Sequence, residues 1–403
     1  MYKINHANIK DWAKNYNGPQ FDGILCDPPY ELGFMGKSWD SSGIAFDQEM
    51  WESIYKLLKP GAHLLAFSGS RTYHRMAVAI EDAGFEIRDM IEWVYGSGFP
   101  KSLNIGKAVD KLQGNERQEY IAPIAKPDSD CWGIPNNKSD GSYQESSYNT
   151  NVQNVNVGAG MRRHTKGTSE WEGWGTALKP AHEPCVLARK PIEGTVANNV
   201  LKHGTGGLNI DGTRIEGTDE VPTFTRDLSQ AHGNKFGAGT KVPTKSNGFT
   251  GMGRFPANLI HDGSDEVEAV FPNDNQRFFY CSKASKSERN AGLEGFEERL
   301  VFNNDKGDGL GRGISNTKHP SANHHPTVKP LSLTKYLATL IKPPTGGRLL
   351  VPFSGSGSEM IGALQAGWEY VEGVELTEEY IPIAEARIKH WASKEDTKQT
   401  SLI

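Results

Sequence analysis

The chain has 403 residues and a formal net charge of −5, long enough for one large α/β domain with a sizeable insertion or for two domains. That mild acidity argues against a uniformly basic nucleic-acid coat but leaves room for a local basic groove. The four cysteines, at 26, 131, 185 and 281, show no CxxC spacing, so neither a zinc knuckle nor a disulfide scaffold is expected.

Residues 21–26 (FDGILC) read as a buried strand. Residues 47–58 (DQEMWESIYKLL) have helical spacing that stops at Lys59-Pro60-Gly61. Residues 62–67 predict a second strand, 73–83 a helix closed near Gly84, and 85–95 a third strand. Strands alternating with helices imply a mostly parallel sheet. The segment 136–160 is polar, rich in Asn, Ser and Gly, and is expected to be a mobile loop. Around it, 171–190, 207–214 and 254–262 read as short ordered pieces, and 278–281 as a short strand. Regular patterning returns as a helix over 331–341, a strand over 348–353, a helix over 357–366, a strand over 369–375 and a closing helix over 378–393. The expected organisation is therefore a Rossmann-like α/β domain with a doubly wound sheet, built from 1–110 and 321–403. The middle, 111–320, is expected to be an irregular insertion. No run of 18 apolar residues suggests a membrane span, and the opening MYKINHANIKDW lacks a signal-peptide core. The expectation is a cytoplasmic protein with no membrane partner.

Two motifs carry chemistry. Asp27-Pro28-Pro29-Tyr30 follows the first apolar run, at a strand end. An exocyclic amine is a poor nucleophile because its lone pair is conjugated with the ring. Hydrogen bonds from it to the Asp27 carboxylate and the Pro28 carbonyl favour a pyramidal nitrogen, and prolines leave their carbonyls free to accept. Tyr30 can stack on a base, which must leave the duplex to reach such a pocket. Read singly, Asp27 is a turn cap, the prolines strand terminators and Tyr30 a packing aromatic; the four together are far more specific.

The second motif is the segment LLVPFSGSGSEMIGALQAGWEYVEGVEL, a strand, glycine turn, helix and strand. Phe353, Ser354, Gly355, Gly357 and Ser358 form the turn, and Glu375 ends the next strand, where a carboxylate can accept ribose hydroxyls. Alone this pattern fits a structural turn, a dinucleotide or an adenosyl-methionine-like cofactor; the first motif favours the last. Absence of GK[ST] makes phosphate cradling a poor reading. Upstream, Thr327 and the start of the following helix are candidates to bind a carboxylate, with Lys329 compensating charge. The neighbouring His324 and His325 have no identifiable third ligand, so no metal is expected. Lys101, the cluster Arg162 and Arg163, and the cluster Lys283, Lys286 and Arg289 are the candidate phosphate contacts, or else solvated surface charge.

DPPY at 27–30, HPTVKP at 325–330, PFSGSGS at 352–358 and Glu375 stand in an order that resembles the amino-group DNA methyltransferases whose catalytic tetrad precedes the cofactor glycine motif. GGLNIDGTRI, GRFPANLI and FFYCSKASKSERNAG resemble segments of phage and bacterial members. The resemblance implies S-adenosyl-L-methionine as donor, double-stranded DNA as substrate, base flipping and a target-recognition region between the motifs. It also implies a place in bacterial or phage-infected cells, as in restriction–modification, and is compatible with a homodimer. Aspartate in the first tetrad position favours adenine N6, and cytosine N4 is the alternative. Relatives that modify glutamine usually carry NPPY, which this chain lacks. One departure stands out: Val351 and Ser358 replace the family's usual aspartate and threonine around the glycine turn. Loss of that acid implies weaker cofactor binding, or another carboxylate or Asp27 in its place. With the negative net charge, it keeps a non-catalytic DNA- or cofactor-binding protein as a further alternative.

Overall fold

A computed structural model of the chain describes residues 1–33, 38–96, 102–123, 161–215, 253–270, 278–302 and 318–400. The described residues divide into two compact units. One comprises Met1–Gly96, His182–Arg299 and Ser321–Ile403; the other comprises Ser97–Ala181 and Leu300–Pro320.

The first unit is built on a nine-stranded sheet. Its strands are β1 (Tyr2–His6), β2 (Phe21–Cys26), β3 (Leu58–Phe67) and β4 (Glu86–Val94), then β7 (His182–Arg189), β8 (Leu259–His261), β9 (Phe279–Tyr280), β12 (Arg348–Val351) and β13 (Tyr370–Glu375). Their spatial order is β1-β13-β12-β2-β3-β7-β4-β8-β9. Every neighbouring pair is parallel except those of β7, which runs antiparallel to both β3 and β4. This is the expected doubly wound, mostly parallel arrangement.

Alternation along the central strands supplies two apolar faces. Leu25, Leu65, Phe67, Leu349 and Val351 point to one, where α8 (Leu331–Leu340), α9 (Ser358–Gln365) and α10 (Ile381–Thr400) add Leu333, Leu337, Met360, Ile361 and Ile388. Ile24, Cys26, Leu64, Ala66 and Leu350 point to the other, covered by α1 (Ile9–Asn15), α2 (Gln48–Lys56) and α3 (Tyr73–Asp82) through Ile9, Met50, Trp51, Ile54, Met76 and Ile80. Local chemistry sets the ends of these helices. Asp47 caps α2 by accepting from the Met50 N–H, and Asn8 caps α1 through Lys10. The unit also holds the short helices α5 (Val196–His203), α6 (Asp265–Val270) and α7 (Lys286–Asn290).

The second unit holds α4 (Ile105–Gln113) and a hairpin of β5 (Gln118–Pro123) and β6 (Met161–Lys166), paired antiparallel. Arg117 there bridges Asp110 and Glu172. Strands β10 (Arg299–Phe302) and β11 (Lys318–Ser321) form a separate pair. Among the described residues no helix is long and apolar enough to cross a membrane.

The stretch 111–320 had been expected to project from the sheet as an insertion, but its portion 182–299 belongs to the sheet-bearing unit. The cause is β7, whose residues from Pro184 to Ala188 are buried between β3 and β4. The polar segment 136–160 lies outside the described residues.

Candidate active site

Both motifs emerge from the carboxyl ends of adjacent parallel strands. Asp27 follows the last residue of β2, and the glycine turn follows β12, which pairs with β2 through Leu350 and Ile24. The chain leaves β2 toward β3 on one side and leaves β12 through α9 toward β13 on the other. The crevice between β2 and β12 is thus a topological switch point, the place where open α/β sheets bind ligands.

On the tetrad side the side chains form one charged cluster. Lys329, 5% exposed, donates to Asp27 Oδ2 at 2.6 Å and to the Tyr30 hydroxyl at 3.0 Å. Tyr30 in turn donates to Glu183 Oε2 at 2.9 Å, and Lys329 Nζ lies 3.3 Å from that oxygen. Tyr95, just past β4, donates to Glu183 Oε1 at 3.2 Å, and Lys283 Nζ sits 3.8 Å from the Tyr95 ring centroid. The other Asp27 oxygen, Oδ1, is buried and has no hydrogen-bond partner among the described residues. Thr72 Oγ1 donates to the Tyr30 carbonyl at 2.8 Å and fixes the turn. Glu31, next in sequence, takes φ 55°, a left-handed backbone that a non-glycine residue adopts at a cost of about 1 kcal/mol or more. Its amide donates to Asp40 Oδ1 at 3.1 Å, and its own carboxylate accepts from Gly43 N at 2.8 Å.

Burial raises the Asp27 carboxyl above its usual range; Lys329 opposes this and Glu183 adds to it. Burial alone would lower the Lys329 ammonium, but Asp27 and Glu183 together raise it. For Glu183 burial again pushes upward, yet Lys329, Tyr30 and Lys283 bring it below its ordinary value.

On the glycine side, Gly355 and Gly357 take φ of 47° and 83°. A Cβ on Gly355 would come 2.8 Å from His325 Nε2, so only glycine fits without moving that ring. Glu375 braces the turn by accepting from the Gly355 N–H at 2.7 Å and the Thr377 N–H at 2.8 Å. Phe353 packs on the face covered by α1 to α3. Ser354 is buried, and Ser358 opens α9 with its hydroxyl 3.2 Å from Arg387 Nη1. Glu359, also in the first turn of α9, is 4% exposed, and burial pushes its carboxyl up to about 7.

Several sequence expectations shift. Lys329, expected on the cofactor side, contacts Asp27 and Tyr30 instead, because the segment before α8 carries it to the tetrad. The first N–H of α8, at Leu331, was expected to be free for a ligand carboxylate; it donates to Glu288 Oε1 at 2.9 Å. Thr327 is exposed, and its carbonyl accepts from His325 Nδ1. Arg289, expected at phosphate, donates to the His325 carbonyl at 3.0 Å, while Lys286 of α7 is exposed. Lys101 lies outside the described residues, as do the side chains of Arg162 and Arg163 on β6. Sequence reasoning missed Glu183, Tyr95 and Glu359. The apolar run Cys185–Ala188 behind Glu183 was the available signal for a strand there.

Comparisons with known proteins identify the family. The N6_N4_Mtase family model, described as DNA methylase, matches residues 21–386. The type II methyltransferase M.HindIII of Haemophilus influenzae is 25% identical over 165 residues, 40% of this chain and 37% of that protein. A putative methylase, YubD of Escherichia coli, is 38% identical over 71 residues, 18% of this chain and 30% of that one. The matches therefore span less than half the length of either relative. Among solved structures, the PvuII DNA methyltransferase (cytosine-N4-specific) has a TM-score of 0.43 at 11% identity, covering 96% of this chain and 86% of that one. The M1.HpyAVI–SAM complex has a TM-score of 0.41 at 14% identity, covering 96% and 99%. With the family match running from β2 into α10, the chain belongs to the N6/N4 DNA methylase family.

Proposed function

We propose that this protein is an S-adenosyl-L-methionine-dependent DNA methyltransferase that modifies the N6 amino group of adenine within a specific sequence. The observation that carries the reading is Asp27, which has one oxygen held by Lys329 and the other buried with no hydrogen-bond partner among the described residues. An acceptor so prepared, beside an aromatic ring, suits a base amino group brought out of the helix.

The glycine side fits the cofactor. Its turn has left-handed backbone at Gly355 and Gly357, Glu375 stands at the end of the next strand, and the buried Glu359 at the start of α9 is a carboxyl that a bound cation would ionise. Glu375 would hold the ribose hydroxyls, Phe353 and Ser354 would line the turn, and Glu359 would face the cationic end. S-adenosyl-L-methionine supplies an electrophilic methyl group. Asp27 Oδ1 accepts a hydrogen bond from the amine and turns its lone pair out of conjugation. The nitrogen would gain the methyl as the sulfur–carbon bond breaks and the thioether leaves, carry the positive charge beside Asp27, and then release its proton to solvent water. No covalent bond between the protein and the base is needed. Tyr30, fixed through its hydroxyl, stacks on the base for roughly 1–3 kcal/mol.

Lys286 is a phosphate contact in this reading, and the unit of Ser97–Ala181 and Leu300–Pro320 is the target-recognition part. Aspartate at position 27 favours adenine. The name of M.HindIII, a type II methyltransferase, supports a modification role.

The test is incorporation of tritiated methyl into unmethylated mixed-sequence DNA, followed by digestion and identification of the modified nucleoside. N6-methyladenine is expected, and N4-methylcytosine would reassign the base. Asp27→Ala is expected to bind cofactor and nearly abolish transfer. Cofactor binding by the wild type without any incorporation would instead establish a non-catalytic protein.

A further inference from the structure

We infer that Glu183 is a positioning residue for methyl transfer: it holds Lys329 and Tyr30 and offsets the Lys329 charge, so that Asp27 presents a net negative acceptor to the reacting amine. This rests on the role given to Asp27 above.

The geometry is convergent. One Glu183 oxygen receives the Tyr30 hydroxyl at 2.9 Å and lies 3.3 Å from Lys329 Nζ; the other receives the Tyr95 hydroxyl at 3.2 Å. The carboxylate therefore touches two members of the tetrad cluster without touching Asp27. It reaches them because β7 runs against its neighbours. A parallel strand would start at the far edge of the sheet, whereas antiparallel β7 starts at the edge where β2, β3 and β4 end.

Charge gives this placement a purpose. Asp27 and Lys329 alone sum to zero, and Lys329 is bonded to Asp27 itself at 2.6 Å. Transfer places positive charge on the amine nitrogen, close to that ammonium. Like charges so near one another in a poorly solvated site oppose the reaction. Glu183 makes the cluster net negative and restores the attraction. Its contacts also hold Lys329 away from Oδ1. The other titratable groups acting on the cluster are Lys283 over Tyr95, Glu359 of α9, and the Cys26 and Cys185 thiols, which burial keeps protonated.

Glu183→Gln keeps the shape and removes the charge. Single-turnover methyl transfer to unmethylated genomic DNA, with saturating S-adenosyl-L-methionine, is expected to slow on the order of 10- to 100-fold at pH 8. Cofactor affinity by calorimetry should change less than threefold. Because Glu183 raises the Asp27 carboxyl, the acid limb of the rate profile should move to lower pH in the variant. The side-chain 15N signal of Lys329 should titrate at lower pH for the same reason. A merely structural ion pair would leave the transfer rate at pH 8 unchanged in a folded variant. An unchanged rate, or a slower rate with an unmoved acid limb, overturns the proposal. If Glu183→Gln does not fold, Glu183→Asp decides. It retains the charge, so it should stay within tenfold of wild type, and a folded variant more than 100-fold slower refutes the role. An inactive wild type would refute the broader reading of Asp27, whereas an active wild type with an indifferent Glu183→Gln refutes only this one.

Discussion

Glu359 offers a measurement that needs no DNA. It lies 4% exposed in the first turn of α9, directly after the glycine turn. Burial is the main cause that raises its carboxyl from 4.5 to about 7; Asp27 adds to it, and Lys329 and Arg387 oppose it. The folded state therefore holds this proton more tightly than the unfolded chain. Below pH 4.5 the group is protonated in both states and its contribution is fully present. As pH rises through 7, the folded state must ionise a buried acid, and stability falls. That rise, to about 7, is worth about 3 kcal/mol. Glu359→Gln removes that dependence. The variant should gain on the wild type by up to about 3 kcal/mol between pH 5 and pH 8, measured by urea unfolding at intervals across that range. Subtracting one protein from the other cancels the groups they share. A constant difference across the range would refute the assignment of a buried, proton-holding Glu359. The same group should report the cofactor. A cation bound at the glycine turn draws the proton off, so near pH 7 binding of S-adenosyl-L-methionine should release part of a proton from the wild type and none from Glu359→Gln. Calorimetry in two buffers of different ionisation enthalpy reads that release directly.

Three further outcomes follow from the same geometry. Lys329→Met leaves Asp27 and Glu183 buried without their cation and should cost about 3–5 kcal/mol at pH 8, less at pH 5 as the carboxyls protonate, read by urea unfolding at the two pH values. Gly355→Ala forces a left-handed φ on alanine and sets its Cβ 2.8 Å from His325 Nε2; cofactor affinity should fall at least about tenfold by calorimetry, with roughly 1 kcal/mol or more of stability lost. Glu288→Gln weakens the charged acceptor at the first N–H of α8 and should cost about 0.5–1 kcal/mol in thermal or urea unfolding, more at low salt than at high.

What the sequence discloses, and what it hides, follows from the range of the forces that place each group. The strand at 21–26 and the helices near 48–56 and 331–340 are written in local patterns, and their structural bounds lie within a residue or two of the sequence reading. The tetrad and the glycine turn are equally local, because each is a short run whose backbone demands particular residues. Glu183 is different. Its neighbours His182 and Pro184 carry no periodic signal, and its importance comes from the pairing of β7 with β3 and β4, strands remote in sequence but adjacent across the sheet. Position 351 makes the same point from the other direction. Read against the family pattern, Val351 is a lost acid; in the fold it is fully buried beside Leu349, on the face under α8 and α9. The acid nearest the turn in sequence is then Glu359, in the first turn of α9, where a glutamate at an ordinary helix start would be read as a solvated charge. An acid at either position borders the glycine turn, but one is supplied by the strand and the other by the helix that follows it. If Glu359 takes over from the acid that position 351 lacks, it must ionise when the cofactor binds, and the proton released near pH 7 by the wild type but not by Glu359→Gln is the measurement that tests this.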